Sequence, residues 1–177
     1  AILIKKGTFE PYSLINKLKT NFDLNREEAI IKSTELLSDA DIIVATTGKT
    51  SRELFEYRAK KNQGHYRDFL TVGGMGHANQ IALGIALAKP DKTVYCFDGD
   101  GAALMHTGSL GIVGALKLKN FKHIIFNNGA HDSVGGQPTI GFDIDFGNIA
   151  KAFNYVKVFR IEKLDDFEQI FMDFKNQ

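Results

Sequence analysis

The sequence predicts an α/β domain: a doubly wound, largely parallel sheet of five or six strands with helices on both faces. Three observations carry that expectation. Short apolar runs alternate with helical patterns from Asp41 to the C-terminus. Those runs end in glycine-and-polar corners, at 46–50, 73–77, and 98–101 with 127–130. The chain has 177 residues, 44% of them hydrophobic and 24% charged, which suits one globular domain with a proper core. In a parallel sheet all such corners gather on the carboxyl edge, where ligands bind.

Taken in order, residues 1–24 read as a linker from a preceding domain. The chain opens on Ala1 rather than methionine, and Ile2-Leu3-Ile4 resembles the last strand of something before it. A fragment of a longer protein or one subunit of a split one is expected. A short helix is expected around Tyr12 to Leu18. The domain proper spans 25–177. Asn25 is a good N-cap, and Glu27 and Glu28 fall in the first turn, where the helix dipole favours negative charge.

Asp41 to Ala45 reads as a buried strand leading into Thr46-Thr47-Gly48-Lys49-Thr50, with a helix from Ser51 to Arg58. A strand, a glycine with flanking hydroxyls and a helix start make either an anion cradle or a plain capped turn. The Gly-Lys-Thr here lacks the earlier glycine and the spacing of a P-loop. Asp68 to Val72 is the next strand, ending in Gly73-Gly74-Met75-Gly76-His77. Glycine there lets backbone approach a ligand. Met75 is either core filler or a side chain offered at that corner. A helix from Ala78 to Ala88, rich in small residues, demands a close neighbour.

Thr93 to Phe97 forms the following strand, then comes Asp98-Gly99-Asp100-Gly101 and helical segments over 102–117. Gly108, Gly111 and Gly114 recur at threes, as close helix packing requires. His123 to Phe126 is a strand ending in Asn127-Asn128. The glycine-rich stretch 129–146 has the length of a functional loop. Phe146 to Phe153 reads as a helix, Tyr155 to Ile161 as a strand and Leu164 to Lys175 as a closing amphipathic helix.

Net charge is +1, so nothing favours nucleic acid or a membrane surface as partner. No apolar run approaches the roughly 18 residues of a membrane span. Cys96 is the single cysteine, inside an apolar run, which excludes a disulfide framework and fits a cytoplasmic protein. It reads as a buried hydrophobe rather than a nucleophile.

Asp100 and Asn128 are hard oxygen ligands of the kind Mg²⁺ takes beside phosphate oxygens. Gly99-Asp100-Gly101, then 25 residues, then Asn127-Asn128, each at the end of an apolar strand, resembles the signature of thiamine diphosphate-dependent decarboxylases. TTGKTSRELFE, FLTVGGMGHA, DGDGAALMH and NNGAHDSVGGQPT resemble the phosphonopyruvate decarboxylase family in particular. Sulfopyruvate decarboxylases and acetolactate-synthase-like enzymes are the relatives most easily confused with it.

The resemblance implies a domain that binds the diphosphate end of thiamine diphosphate. It implies Mg²⁺ on Asp100, Asn128 and the carbonyl of Ala130. Gly99, Gly101, Ala102 and Ala103, with Thr47, Gly48, Lys49 and Thr50, would contact the diphosphate. The Gly73 carbonyl would meet the aminopyrimidine, and Met75 would keep the cofactor bent. His131 and Ser133 are the candidate substrate contacts, with Gln137 and Lys49 beside them. The implied reaction is decarboxylation of a 2-keto acid, 3-phosphonopyruvate giving phosphonoacetaldehyde and CO₂. The activating glutamate of such enzymes sits on a pyrimidine-binding domain or subunit that this chain lacks. Glu53 and Glu56 read as solvated or structural. A homo-oligomer, dimer or higher, is therefore expected, and the chain alone should be inactive.

Overall fold

A computed structural model describes residues 2–10 and 20–177. The helix expected at Tyr12 to Leu18 lies outside the described residues. Helix α1 (Arg26–Glu35) opens on a capping box: Asn25 accepts from the Glu28 amide while Glu28 accepts from the Asn25 amide. Then come β1 (Ile42–Ala45), α2 (Lys49–Lys60), β2 (Asp68–Leu70), α3 (Ala78–Ala88) and β3 (Val94–Gly99). The chain continues through α4 (Asp100–Met105), α5 (Gly108–Leu116) and β4 (Phe121–Phe126). A two-stranded hairpin, β5 (Ala130–His131) with β6 (Gln137–Pro138), precedes α6 (Phe146–Ala152) and α7 (Phe167–Lys175).

The main sheet is parallel throughout, in the order β2-β1-β3-β4. Its central strands alternate strictly between two buried faces. Ile43, Ala45, Tyr95 and Phe97 point to one side and pack with Ala29, Ile30, Leu54, Phe167 and Phe171 of α1, α2 and α7. Val44, Val94 and Cys96 point to the other, against Ala78, Ala82 and Ala86 of α3. Those alanines recur every four residues, so α3 lies flat and close on the strands. Burial on both faces explains why β1 and β3 read as unbroken apolar runs. Arg58 and Asp68 form a buried ion pair, Nε to Oδ2 at 2.9 Å, that fastens α2 to the edge strand β2. Among the described residues, no helix is long and apolar enough to cross a membrane.

Among the described residues four strands form the sheet, not five or six. The missing one is Tyr155 to Ile161. An apolar pattern says which side chains face inward, but a strand also needs a neighbour's ladder groups. Here the segment lies across a cleft of about 800 Å³ from the free side of β4. Side chains tether it instead: the Tyr155 hydroxyl lies 3.0 Å from His123 Nδ1, and Arg160 Nη2 donates to Asp145 Oδ1 at 2.8 Å.

The helical stretch 102–117 breaks at His106-Thr107, where the Thr107 hydroxyl donates to the carbonyls of Ala103 and Leu104. Of the glycines at threes, Gly111 and Gly114 do pack tightly. A Cβ at Gly111 would stand 3.1 Å from the Phe153 ring. One at Gly114 would overlap the Phe153 carbonyl group. Gly108 faces open space.

The same substitution should therefore act with opposite sign at two helical glycines. Gly114→Ala must push backbone aside and should lower the unfolding free energy by roughly 1–3 kcal/mol. Gly84 is exposed on α3 and a Cβ there would meet nothing within 4 Å, so Gly84→Ala should raise stability by roughly 0.5–1 kcal/mol. Urea unfolding of both variants beside the parent measures this.

Candidate functional site at the carboxyl edge of the sheet

The parallel ladder delivers the ends of β1, β3 and β4 to one edge. At the end of β1, Ser51 and Thr71 hydroxyls donate to the Ala45 carbonyl at 3.1 and 2.9 Å, and Ser51 also donates to that of Thr46 at 2.7 Å. Thr47 Oγ1 accepts the Gly73 amide at 3.0 Å, which ties the first corner to the second. Gly48 turns with φ +100°, a conformation that side chains resist. The Lys49 amide donates to Ser133 Oγ at 2.9 Å. The Thr46 hydroxyl is buried without a hydrogen-bond partner, which is uncommon in a folded protein.

At the second corner Gly73, Gly74 and Gly76 all have positive φ, and together they fold the chain back toward α4. A Cβ at Gly76 would stand 2.9 Å from the Ala102 carbonyl oxygen. Met75 reaches across so that its methyl lies 3.3 Å from where a Gly101 Cβ would be. His131 covers the same glycine from above, its Nδ1 2.7 Å from that position. Gly101 is thus a narrow floor between Met75 and His131.

Asp100 begins α4 and is 2% exposed. Its Oδ2 accepts a short hydrogen bond from the Thr139 hydroxyl, and Thr139 Oγ1 accepts the Gly141 amide at 3.0 Å. Asn127 joins this group: its Nδ2 donates to the Gly141 carbonyl at 2.6 Å and its Oδ1 accepts the Gly129 amide at 3.2 Å. Asn127 Oδ1 and Asp100 Oδ2 both crowd Gly141, at 2.5 and 2.6 Å from its would-be Cβ. Asn128 turns the other way, Nδ2 donating to Asp132 Oδ2 at 2.8 Å.

Beneath this corner lies a buried polar line. Asp98 Oδ1 accepts the Gly99 amide at 3.0 Å, Asp98 Oδ2 lies 3.2 Å from His123 Nε2, and His123 meets Tyr155. Burial pushes the Tyr155 phenol above its ordinary range, with Cys96 and Asp98 adding to it. Cys96, Asp98 and His123 place their ligand atoms within 4.8 Å of one another, the cluster of its kind among the described residues. Burial, then the Asp98 charge, pushes the Cys96 thiol well up, so it stays a neutral buried side chain, as its place in the strand implies.

Most of the residues singled out in the sequence converge. Thr47, Gly48, Lys49 and Thr50 lie at the first corner, Gly73 and Met75 at the second, and Gly99, Asp100, Gly101, Ala102 and Ala103 at the third. Ala130 and His131 form β5 over Gly101, and Ser133 docks on Gly48. The Lys49 and Gln137 side chains are exposed, and the Lys49 backbone alone makes the contact. Thr139 closes the NNGAHDSVGGQPT stretch without having been singled out, and Gly141 carries no sequence signal beyond lying in the glycine-rich loop. Glu53 is not a free solvated carboxylate; it pairs with Arg26 at 2.7 Å.

The donor set fits a divalent cation with a diphosphate. Asp100 and the neighbouring Asn127 Oδ1 are hard oxygens, and among the described residues the one side-chain partner of the buried carboxylate is a neutral hydroxyl. Thr46 supplies an unpartnered hydroxyl, and Gly48 and Gly101 leave bare backbone at the floor.

Fold and site together define a cofactor-binding α/β domain of the doubly wound kind. Residues 46–177 match the family described as thiamine pyrophosphate enzyme, C-terminal TPP binding domain, and the chain belongs to that family. Its cofactor is thiamine diphosphate, which Mg²⁺ accompanies. The chain is 45% identical over 130 residues to phosphonopyruvate decarboxylase of Streptomyces hygroscopicus, covering 73% of this chain and 31% of that protein. It is 35% identical over 153 residues to sulfopyruvate decarboxylase subunit beta of Methanocaldococcus jannaschii, covering 86% and 78%. The chain thus spans about a third of the Streptomyces relative and most of the archaeal subunit. Its fold matches a thiamine diphosphate-dependent 4-hydroxybenzoylformate decarboxylase of Rhodococcus jostii RHA1 with a TM-score of 0.71 at 20% identity, over 94% of this chain and 33% of that one.

Gly48 offers a test of how the loop docks. A Cβ there would clash with the Ser133 side chain, and the positive φ strains any other residue. Gly48→Ala should cost roughly 1–3 kcal/mol of stability. Adding Ser133→Ala removes the overlap with Oγ but leaves the residue-133 Cβ at 3.2 Å and the backbone strain, so the double variant should recover only part of the loss. A double-mutant cycle in denaturant measures both terms.

Proposed function

We propose that this chain is the diphosphate-binding half of a thiamine diphosphate- and Mg²⁺-dependent 2-keto acid decarboxylase acting on 3-phosphonopyruvate to give phosphonoacetaldehyde and CO₂. The observation that supports this most is the meeting of Asp100, the Asn127-Asn128 pair and the Gly73–Met75 corner on one sheet edge. When bound, the cofactor supplies the electron sink that lets a 2-keto acid lose CO₂.

The chain's own residues bind and orient. Asp100, the Asn128 side chain and the Ala130 carbonyl would hold the Mg²⁺. The amides of Gly101, Ala102 and Ala103 face the diphosphate, with Gly99 setting the approach and Thr47, Gly48, Lys49 and Thr50 on the opposite side. Thr139 would have to release Asp100 for it to serve as a ligand, and Asn127 keeps the loop in place through Gly141. The Gly73 carbonyl accepts from the aminopyrimidine, and Met75 presents an apolar wedge to the cofactor. His131 and Ser133 face the substrate from the hairpin that covers Gly101 and Gly48. A pyrimidine-binding domain or subunit supplies the activating glutamate, within a homo-oligomer in the cytoplasm.

Two features support phosphonopyruvate: the 45% identity to the Streptomyces relative, and the stretch NNGAHDSVGGQPT that forms the covering hairpin. Sulfopyruvate is the second substrate to consider, because the match to the archaeal beta subunit covers 86% of this chain. The two acids differ in the charge and geometry of one terminal group, so a substrate panel separates them.

The test uses the intact enzyme with thiamine diphosphate and Mg²⁺ on 3-phosphonopyruvate, 3-sulfopyruvate and pyruvate, with CO₂ release as the readout. The expected result is a kcat/KM for phosphonopyruvate at least about tenfold above the others, a margin of about 1.4 kcal/mol. A preference for sulfopyruvate would move the substrate assignment, and no release from any acid would leave a cofactor-binding subunit without chemistry. Chelation should abolish activity and Mg²⁺ restore it. Asp100→Ala should lower activity by about 100-fold or more at millimolar Mg²⁺, since it removes the one anionic ligand.

A further inference from the structure

Asn128 is held by a network that reaches from its own motif back to Arg26, outside every motif of the site. Its Nδ2 donates to Asp132 Oδ2 at 2.8 Å. The same Oδ2 accepts from Arg26 Nη1 at 2.7 Å. Glu53 grips the guanidinium from the other side, Nε to Oε2 at 2.9 Å and Nη2 to Oε1 at 2.7 Å. This two-point contact fixes the plane of the guanidinium as well as its distance. Arg26 and Glu53 side chains are 14% and 13% exposed, so the pair is largely shielded from water. The hydrogen bond to Glu53 raises the guanidinium pKa further above its ordinary value, and Arg26 carries its charge at any working pH.

The anchor is rigid on both sides. Arg26 is the first residue of α1, whose opening turn is locked by the capping box of Asn25 and Glu28. Glu53 projects from α2, which packs on α1 through Ile30 and Leu54. Asp132 opens the short 3₁₀ turn inside the hairpin that covers the site. The network therefore carries the position of two packed helices to the side chain of Asn128.

A primary amide binds a hard cation through its oxygen only, and its nitrogen carries two donors. Which end faces a metal is decided by what takes the nitrogen. Here a carboxylate takes it, and among the described residues no hydrogen bond engages Asn128 Oδ1. A carboxylate on the N–H also draws electron density toward the amide oxygen. Asp132 has its own Oδ2 occupied by two donors, which suits an orienting role better than a ligating one.

We propose that Asp132, held by the Arg26–Glu53 pair, is a positioning residue that presents the Asn128 side-chain oxygen to the Mg²⁺ of the cofactor. This rests on the ligand role given to Asn128 above. Partners of this kind, one bond removed from a metal, commonly control its affinity by 10–100-fold.

The test titrates Mg²⁺ into the intact enzyme with its pyrimidine-binding partner at fixed thiamine diphosphate, with cofactor binding followed by calorimetry. Asp132→Ala should raise the half-saturating Mg²⁺ concentration by about 10–100-fold. At saturating Mg²⁺, cofactor affinity and kcat should return to within about threefold of the parent. Asp132→Asn keeps an oxygen for the Asn128 amide and should restore Mg²⁺ affinity to within about threefold. Asp132 is 39% exposed, so both variants should keep the parent's melting temperature within a few degrees. An Asp132→Ala titration within about twofold of the parent would overturn the proposal, as would an Asp132→Asn variant no better than Asp132→Ala. Asp100→Ala run in parallel separates the two levels. If it too leaves the Mg²⁺ dependence unchanged, the metal site itself is misplaced; if it abolishes binding while Asp132→Ala does nothing, only the positioning role fails.

Discussion

The parallel ladder of β1, β3 and β4 is the constraint on which the site depends. Its register pairs Ala45 with Phe97 and Gly99 with Phe126. Asp100 and Asn127, the residues that follow β3 and β4, must then emerge side by side, with Thr46 against Gly99. Antiparallel pairing would have sent alternate corners to opposite edges. Burial on both faces keeps that register from slipping, because a shift of one residue would exchange the α3 side with the α1–α2–α7 side. The core thus acts on function by fixing where three polar corners end.

The polar side chains at that edge are costly to bury, and each is offset locally. Asp100 is taken up by Thr139, Asp98 by the Gly99 amide and His123, and Asn127 by the backbone of Gly129 and Gly141. A buried carboxylate left alone would cost several kcal/mol. The Thr139 contact is a neutral hydroxyl, weaker than a cation as compensation, so it can yield to a metal ion. The Asp98 contact has a different character. It lies under the corner, fully enclosed, and holds the Gly99 backbone from which Asp100 projects. One carboxylate shapes the turn, and its neighbour two residues on meets the covering loop.

Much of this was legible in the sequence, and the failures have physical reasons. The strands β1 to β4 and the helices α1, α2, α3 and α7 follow from apolar periodicity and caps, which are local. So do the glycine corners, because positive φ at Gly48, Gly73 and Gly76 is a property of few residues. The segment 155–161 failed because its apolar pattern is local but ladder pairing is not. Thr139, Gly141 and Arg26 were invisible for the same reason. Arg26 looked like one more charged residue in a first helical turn, and Asp132 like a loop aspartate. Their contact joins residues 106 apart in the chain, which no window of sequence can register.

The two asparagines show how much a motif leaves undecided. Asn127-Asn128 reads as a unit, yet the side chains point to different neighbours. Asn127 belongs to the loop that closes over Asp100 through Gly141, so it sets the height of the cover. Asn128 belongs to the Arg26–Glu53 anchor, so its amide is set by side chains on α1 and α2. Adjacent residues after a strand necessarily diverge in this way, since successive side chains leave the backbone on opposite sides. A pair at the end of a strand can therefore serve a cover and an anchor at once, which a single asparagine could not. That division ties one amide to the loop over Asp100 and the other to the packing of α1 on α2.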